Sequence, residues 1–279
     1  MISSYVTEVF KFSGAGNDFV VLDGRRGGVE TFREAETIGR LCREHLTDGL
    51  MFLTEAPGVD FGMEFYNPDG SGGMMCGNGG RCIAAFADYL GIKPAEGTVY
   101  RFEAPDGLHT AQILEAPAEG GHRFGDTTLI RNLHWTVRLK MIDVKGVTPL
   151  KGGYFLNTGT RHFVKFVEDV DAVDMESEAK PLRWDSCFQP EGTNVNFVQK
   201  TDGLLKVRTF EKGVEGETLA CGTGLTASAL IAGHCHLAES PVKLQCRRGD
   251  LLEVEFKTAE NDCFTDVYLT GPAELVSIL

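Results

Sequence analysis

One stretch decides the fold of this chain: Asn67-Pro68-Asp69-Gly70-Ser71-Gly72-Gly73-Met74-Met75-Cys76-Gly77-Asn78-Gly79-Gly80-Arg81. Its pattern predicts a strand end, a turn and a glycine-rich approach to a cysteine that starts a helix. The helix continues through 83–90, a run rich in small and apolar residues. A cysteine at a helix start meets the positive end of the helix dipole, which favours a reactive thiolate. Glycines let backbone N–H groups approach a ligand closely, and an anion suits such a site.

The chain contains a second copy of this arrangement. Cys221 stands directly before Gly-Thr-Gly and leads into 225–232, another run of small and apolar residues. Cys221 follows Cys76 by 145 positions (221 − 76). Two further pairs of residues are 144 positions apart: Phe19 and Phe163, and Tyr66 and Phe210. Because three registers agree within one residue, the sequence predicts an internal duplication.

The duplication predicts two similar domains within the 279 residues. Most segments show the alternating or short apolar runs of strands, and few show helical spacing. The expected fold class is α+β, with two pseudo-symmetric domains and the active-site cleft between them. Each domain is expected to be a strongly curved, mostly antiparallel sheet wrapped around one central helix. We place the N-terminal half at 1–141, with 271–279 returning to it, and the C-terminal half at 142–270.

Two further segments allow local predictions. Thr31 is predicted to cap a helix whose packed face carries Ile38, Leu41, Cys42, His45 and Leu46. The segment 169–180 is acidic, and we expect it to be a solvated surface stretch.

Composition narrows the classes of function. The net charge of −13 would repel a phosphate backbone, so we expect no nucleic-acid partner. No apolar run approaches the ~18 residues that span a membrane, and residues 1–8 lack the basic and apolar regions of a signal peptide. A cytoplasmic location is therefore expected. The eight cysteines should then be reduced thiols rather than a disulfide framework.

Two helix-start cysteines suggest a specific chemistry. If both helix starts point into one cleft, two thiols lie on opposite sides of the bound molecule, and the converging N–H groups suit a carboxylate. One thiolate can then remove the proton from the α-carbon, and the opposing thiol can deliver a proton to the other face. Fixed donors at the carboxylate stabilise the negative charge that develops as the proton leaves. The predicted reaction is inversion next to a carboxylate, and it requires no cofactor.

The motifs of this chain resemble those of the diaminopimelate epimerase family. The resemblance rests on the segments 14–19, 67–71, 76–82 and 216–224, and it extends through nearly the whole chain to Thr270-Gly271-Pro272. The family interconverts LL- and meso-2,6-diaminoheptanedioate without a cofactor, on the lysine and peptidoglycan route. The resemblance implies an isomerase with a small amino-acid substrate, no cofactor, no metal and no membrane partner. It also implies a homodimer.

The resemblance assigns roles residue by residue. The two acid–base thiols are Cys76 and Cys221. The residues that assist the thiols are His162 and Glu211. The helix-start donors around the reacting carboxylate and amine are Gly77, Asn78, Gly222 and Thr223. The further substrate contacts are Asn17, Asn67 and Asn194.

Three departures from the family pattern leave questions open. Lys212 stands where the family usually has arginine, and Thr160 stands where it often has asparagine. Both positions serve the distal end of the substrate, where arginine would grip a carboxylate bidentately and lysine offers a point charge. A racemase of another amino acid is therefore the alternative function. The segment 273–279 lacks the tyrosine that some members use in a dimer contact, so the oligomeric state is open.

Other interpretations of these residues fit less well. A buried cysteine is most often a small packing residue, and we assign that role to the six that lack a helix-start context: Cys42, Cys82, Cys187, Cys235, Cys246 and Cys263. A zinc site fails because no Cys-x-x-Cys pair exists. The glycine-rich turns match no phosphate-loop or dinucleotide fingerprint. A rival of a different class is a non-catalytic thiol switch, in which Cys76 and Cys221 form a reversible disulfide.

Overall fold

A computed structural model of the chain describes residues 7–25, 27–73, 75–117 and 132–279. It divides into two compact units. Unit 1 runs to Leu139 and also contains Pro272–Leu279, and unit 2 is Lys140–Gly271. The boundaries predicted from the sequence lie within two residues of these. Among the described residues, no helix is both long and apolar enough to cross a membrane.

The described residues of unit 1 form mainly strands, together with two α-helices. Its elements are β1 (Val9–Ser13), β2 (Asp18–Asp23), α1 (Ala35–His45), β3 (Gly49–Thr54), β4 (Phe61–Tyr66), α2 (Gly77–Tyr89), β5 (Val99–Ala104), β6 (Gly107–Glu115) and β7 (Leu133–Lys140). A short 3-10 helix, Glu30–Arg33, precedes α1.

Unit 2 follows with a similar set of elements. They are β8 (Val144–Lys145), β9 (Thr148–Leu150), β10 (Gly153–Asn157), β11 (Arg161–Phe166), α3 (Lys180–Arg183), β12 (Asn194–Thr201), β13 (Leu204–Glu211), β14 (Gly216–Thr218), α4 (Gly222–His234), β15 (Val242–Gln245), β16 (Leu251–Ala259) and β17 (Cys263–Ile278). A π-helix, Met175–Ala179, and a 3-10 turn, Ser186–Phe188, flank α3.

The two units repeat one order of strand pairing. In unit 1, β1 pairs antiparallel with β2, β2 runs parallel to β3, and β3 pairs antiparallel with β4. In unit 2, β10, β11, β12 and β13 pair in the same order and directions. The first strand after the cysteine helix of each unit runs parallel to an earlier one, β5 beside β4 and β15 beside β13. This α+β architecture is the predicted fold class.

The cysteine helices α2 and α4 are the central helices of the two units. Each has thirteen residues and begins directly after its cysteine. In α2 every residue from Gly77 to Ala87 is buried, and in α4 every residue from Gly224 to Ala232 is buried. A helix with no solvent-exposed face needs other elements packed against every side of it. Strands on several sides cover each one: β1, β2, β3 and β6 around α2, and β10 to β13, β15 and β16 around α4.

Three local predictions were wrong. The cap of α1 is Glu34 rather than Thr31, which lies within the preceding 3-10 turn. Leu46 is 83% exposed because the chain turns into a left-handed conformation there, with φ 51°, and leaves the helix. The acidic segment 169–180 is not simply solvated. Its apolar residues alternate with the charges and pack against Phe163 and Phe188: Val170, Val173, Met175 and Ala179.

Candidate active site

Cys76 caps the first turn of α2, as predicted. Its carbonyl accepts a hydrogen bond of 2.8 Å from the Gly80 N–H, which closes the first helical turn. Its sulfur accepts from the Gly79 N–H at 3.3 Å. The thiol is half-buried. A sulfur that caps backbone N–H groups lies where the helix dipole stabilises negative charge.

Asn17 and Asn78 form a pair beside this helix start. The Asn78 amide donates to Asn17 Oδ1 at 2.6 Å, and Asn78 Oδ1 accepts from Arg81 Nη2 at 2.9 Å. The two bonds fix which end of each amide is the donor. The β1–β2 turn comes this close because residue 14 is glycine. A Cβ on Gly14 would lie 2.7 Å from the Asn78 carbonyl oxygen.

Arg81 organises this part of unit 1, although no role was predicted for it from the sequence. Its side chain is fully buried, and its guanidinium donates to the carbonyls of Gly14, Gly77 and Pro272 as well as to Asn78. A buried guanidinium is stable only with such partners. A charged residue followed directly by a run of small and apolar residues, 82–87, was the feature of the sequence that could have revealed it.

Asn67 lies at the end of β4 and closes a tight loop. Its N–H donates to the Ser71 carbonyl at 2.9 Å, and its carbonyl accepts from the Gly70 N–H at 2.9 Å. The side-chain amide donates to Ser71 Oγ at 3.0 Å. Asp69 accepts from the N–H and the hydroxyl of Ser71, and these bonds lower the pKa of Asp69. The loop therefore holds a half-buried Asn67 on the chain that leads to Cys76.

Cys221 starts α4 in unit 2 but has different partners from Cys76. The Leu225 N–H donates to the Cys221 carbonyl at 2.9 Å and closes the first turn. Cys221 is 6% exposed, and its sulfur lies 3.4 Å from the Thr223 hydroxyl oxygen. Thr223 is held from behind, because the Thr158 hydroxyl donates to its carbonyl at 3.0 Å. A hydroxyl oxygen therefore lies next to this sulfur.

His162 lies directly behind Thr223 and is fully buried. Its Nε2 is 2.9 Å from the hydroxyl oxygens of both Thr160 and Thr223, and 3.4 Å from the amide nitrogen of Asn194. Its Nδ1 is 3.0 Å from the amide nitrogen of Asn196. Burial lowers the pKa of His162 from 6.5 to about 3, although the hydrogen bond with Asn196 opposes this shift. The imidazole is therefore neutral at physiological pH.

The residues predicted to serve the distal end of the substrate lie together in unit 2. The Asn194 amide donates to Thr160 Oγ1 at 3.3 Å, and its oxygen accepts from the Lys212 N–H at 2.7 Å. The Lys212 side chain itself is exposed. Glu211 ends β13, and its Oε2 accepts from the Thr218 hydroxyl at 3.0 Å across the β13–β14 hairpin. In unit 2 the structure thus connects Thr160, His162, Asn194, Lys212, Cys221 and Thr223, while Glu211 lies next to Lys212 along the chain.

Two residues of the unit 2 network were missed. Asn196 contacts His162, and Thr209 donates to Asn196 Oδ1 at 2.9 Å. Both are buried within strands whose neighbouring residues are mostly apolar. Asn194 and Asn196 are two residues apart, so a strand places them on one face. That spacing could have revealed Asn196, but its partner Thr209 is known only once the strand register is known.

All eight cysteines are free thiols. Of the six assigned to packing, Cys42, Cys82 and Cys246 are buried, whereas Cys187 is exposed and that assignment was wrong for it. Cys235 and Cys263 are half-buried. Within the described ranges, no group of three or more His, Cys, Asp or Glu side chains is arranged to hold a metal ion.

Solved structures share this two-unit fold at low sequence identity. A PhzF-family phenazine biosynthesis protein from Bacillus anthracis matches with a TM-score of 0.72 and 12% identity, over 98% of each chain. A hydroxyproline epimerase from Agrobacterium vitis, solved with trans-4-hydroxy-L-proline, matches with a TM-score of 0.63 and 15% identity. That match covers all of this chain and 93% of the epimerase. The fold is therefore of the class that includes amino-acid epimerases.

Sequence comparison gives the particular family. The family model described as diaminopimelate epimerase matches residues 9–122 and 154–276. The diaminopimelate epimerase of Flavobacterium psychrophilum is 36% identical over 278 residues, which are 96% of this chain and 98% of the relative. That of Aquifex aeolicus is 37% identical over 277 residues, 95% of this chain and 94% of the relative. The chain belongs to the diaminopimelate epimerase family.

Proposed function

We propose that this protein interconverts LL- and meso-2,6-diaminoheptanedioate by two-base proton transfer at the α-carbon. Membership of the family and the names of full-length relatives support the substrate. The observation that carries the mechanism is the placement of one cysteine at the start of the central helix of each unit. A two-base inversion needs one proton acceptor and one proton donor, and these two thiols supply them.

The proposed reaction balances without a redox step. The thiolate of one cysteine takes the α-proton, and the electron pair of the broken C–H bond is delocalised into the substrate carboxylate. The thiol of the other cysteine then gives its proton to the opposite face of the carbon and becomes a thiolate. The next turnover runs in the reverse sense or follows proton exchange with water. The order in which Cys76 and Cys221 act depends on which isomer enters.

The helix starts are proposed to stabilise the intermediate charge. The first turns of α2 and α4 offer backbone N–H groups at Gly77, Asn78, Gly222 and Thr223. Donors that are fixed before the reaction gain more from the dianionic carbanion than from the carboxylate of the substrate, so they lower the barrier. Asn17 and Asn67 would add side-chain donors in unit 1.

The distal end of the substrate is proposed to bind the Thr160, Asn194 and Lys212 group. Their hydrogen bonds keep Thr160 and the backbone of Lys212 on either side of Asn194. The exposed Lys212 ammonium would pair with the distal carboxylate. Glu211, held by Thr218, would accept a hydrogen bond from a substrate amine. A different amino acid as substrate would require a different use of this group.

The setting in the cell follows from the chemistry. Two free helix-start thiols must remain reduced to transfer protons, so we propose a reducing compartment, the cytoplasm. The acidic net charge of −13 suits a small-molecule enzyme without a nucleic-acid partner. A homodimer remains a prediction that sedimentation can test.

Solvent isotope incorporation tests the proposed function. LL-diaminopimelate incubated with the protein in deuterated water, with reductant and no added cofactor, should give meso product that carries deuterium at one α-carbon. At early times the recovered LL-isomer should contain little deuterium, because the two faces use different thiols. Equal labelling of substrate and product would contradict a two-base mechanism. Exchange with another amino acid but not with diaminopimelate would establish the alternative substrate. The absence of exchange with any amino acid would favour the thiol switch.

Replacing each thiol separately tests the roles of the cysteines. Cys76→Ala and Cys221→Ala should each lower kcat for epimerisation by at least about 1,000-fold, because one of the two proton-transfer groups is lost. Cys187→Ala, an exposed cysteine, is the matched control and should keep full activity. Circular dichroism should show an unchanged fold in all three. Full activity in either helix-start variant would exclude the two-base mechanism.

A further inference from the structure

Within the residues that the structure describes, the polar side chains near Cys221 correspond to apolar side chains near Cys76. The strand registers of the two units can be compared position by position. Met51 pairs with Phe65 in unit 1, and the corresponding pair in unit 2 is Asn196 with Thr209. In the same way, Phe19 pairs with Gly49 in unit 1, and the corresponding pair in unit 2 is His162 with Asn194. Phe19 is therefore equivalent to His162 in the repeat. Sequence spacing had matched it with Phe163, one residue further on. The side chains at these positions in unit 1 are apolar: Phe19, Met51 and Phe65. The equivalent side chains in unit 2 are polar: His162, Asn196 and Thr209.

The contrast argues against a purely structural role for Asn196. The fold packs an apolar side chain at the equivalent place, since Met51 Sδ would be the nearest neighbour of a Cβ on Gly79. In unit 2 the nearest neighbour of a Cβ on Gly224 would be Asn196 Oδ1, at 2.4 Å. Burying an amide requires a hydrogen-bond partner for each polar atom, which a methionine does not need. The polar residues must therefore serve something other than packing.

The partners of Asn196 determine the orientation of its amide. Its nitrogen is 3.0 Å from the Phe163 carbonyl oxygen, which can only accept. Its oxygen accepts from the Thr209 hydroxyl at 2.9 Å. The reverse orientation would place two acceptors against each other at Phe163. The group that faces His162 Nδ1, at 3.0 Å, is therefore an N–H donor.

This orientation sets the tautomer of His162. A nitrogen that accepts a hydrogen bond carries no proton, so the single proton of the neutral ring is on Nε2. Nε2–H then donates to the pair of hydroxyl oxygens of Thr160 and Thr223, which are 3.1 Å apart. The side chains whose polar atoms lie within 3.4 Å of the ring nitrogens are all uncharged: Thr160, Asn194, Asn196 and Thr223.

The hydrogen-bond donors from Asn196 through His162 to Thr223 are then all directed toward the Cys221 sulfur. The Thr223 oxygen receives the Nε2–H, so its own O–H is available for Cys221 Sγ, 3.4 Å away. Hydrogen bonds aligned in this way strengthen one another, and a charged acceptor gains most from them. A thiolate at Cys221 is the group that such a chain stabilises.

We propose that Asn196 is a positioning residue that fixes His162 as an Nε2–H donor, so that His162 acts on the Cys221 thiolate through the Thr223 hydroxyl. His162 is then a permanent donor and does not itself carry the substrate proton. The proposal assumes the acid–base role of Cys221 in the proposed function. It also makes the two thiols unequal, because only Cys221 has this chain behind it among the described residues.

Nitrogen NMR of the histidine side chains tests the tautomer directly. In ¹⁵N-labelled wild-type protein, the His162 ring, assigned by comparison with His162→Gln, should show a protonated Nε2 and an unprotonated Nδ1. The pattern should persist from about pH 5 to pH 9. An Nδ1–H tautomer, or an imidazolium in this range, would overturn the proposal. This measurement needs no substrate and no altered Asn196.

Alkylation of the individual cysteines tests the consequence. The rate of iodoacetamide labelling at Cys221, followed by mass spectrometry against pH, reports its thiolate population, and Cys76 in the same sample is the internal control. Thr223→Val and Asn196→Leu should each reduce the labelling rate of Cys221 near neutral pH about tenfold and leave that of Cys76 unchanged. Thr223→Ser keeps the hydroxyl and should retain the wild-type profile.

The outcomes separate this proposal from the proposed function. Unchanged Cys221 profiles in Thr223→Val and Asn196→Leu would overturn the role of the chain, even if the enzyme epimerises diaminopimelate. If Asn196→Leu does not fold, Thr223→Val against Thr223→Ser still decides the question. The predicted shifts without any α-proton exchange would support the hydrogen-bond chain to the Cys221 thiolate but overturn the acid–base role that the proposal assumes for Cys221.

Discussion

At the scale of single residues, the two cysteines have the same place in the fold but different surroundings. Cys76 Sγ accepts from a backbone N–H, whereas Cys221 Sγ lies beside a hydroxyl that contacts a buried imidazole. Backbone donors are always present at a helix start, but a side-chain donor depends on the residues around it. The duplication therefore kept the helix-start position of both thiols while their side-chain partners diverged.

Burial of a neutral His162 makes the protein sensitive to acid. Its pKa of about 3 in the folded state lies below the ordinary value of 6.5, which we take for the unfolded chain. Between these values the unfolded state binds a proton that the folded state does not, so stability falls as the pH falls. The contribution is complete above pH 6.5 and is progressively lost toward pH 3.

We expect this to appear as a difference between wild type and His162→Gln. Urea unfolding between pH 6.5 and pH 4 should give a wild-type free energy of unfolding that falls more steeply, by up to about 1.4 kcal/mol per pH unit. Titrating carboxylates affect both proteins, so the difference isolates the histidine. Parallel curves would mean that the imidazole becomes protonated in the folded state.

Lys212 is expected to bind the distal carboxylate less tightly than an arginine would. A guanidinium offers two parallel donors to a carboxylate, and an ammonium offers a point charge. Lys212→Arg should lower KM for diaminopimelate several-fold and leave kcat nearly unchanged. Lys206→Arg, on β13, which ends directly before Lys212, is the control and should change neither constant. An increase in KM for Lys212→Arg would place the distal carboxylate elsewhere.

At the scale of elements, the sequence predicted what local chemistry determines. The two cysteine helices were readable because cysteine, glycine and small residues follow in the same order twice. The cap of α1 could not be predicted in this way, because Thr31 lies within a separate 3-10 turn that precedes the helix. The segment 169–180 misled for a related reason: its charges are obvious, whereas Val170, Val173 and Met175 pack only because β11 and β12 present Phe163 and Phe197 to them. Asn196 was missed because its role depends on which strands become neighbours.

The first turns of α2 and α4 should respond differently to the same substitution of glycine by alanine. Alanine in place of a helical glycine normally stabilises by up to about 1 kcal/mol. At Gly79 the new Cβ would approach no atom closer than the Met51 sulfur at 3.3 Å, which can move. At Gly224 it would lie 2.4 Å from Asn196 Oδ1 and 3.1 Å from Thr209 Oγ1, which hydrogen bonds hold in place.

We therefore expect Gly224→Ala to destabilise the protein by about 1–3 kcal/mol and Gly79→Ala to be near neutral. Urea unfolding at pH 7.5 measures both. Equal effects would mean that Asn196 and Thr209 can move away from α4 without loss.

At the scale of the whole molecule, the last strand links the two halves of the duplication. β17 runs without a break from Cys263 to Ile278, first beside β16 in unit 2 and then beside β1 in unit 1. The segment 271–279 was predicted to belong with the N-terminal half, and Pro272–Leu279 belong to unit 1. The residue-level pairing of β17 with β1 could not be predicted, because it depends on a register shift between Lys11 and Phe12.

A cavity in the last strand should therefore loosen the first one. Leu275 is fully buried and pairs with Phe12, whose ring lies 6.0 Å from that of Trp135 in unit 1. Leu275→Ala should cost about 2–5 kcal/mol and speed hydrogen exchange most in β1 and β2, more than 250 positions away along the chain. Leu269→Ala is the matched control, because Leu269 is equally buried in β17 but pairs with Val254 of β16. It should speed exchange most in β15 and β16. Faster exchange in β15 and β16 for both variants would contradict the assignment of the C-terminal residues to unit 1.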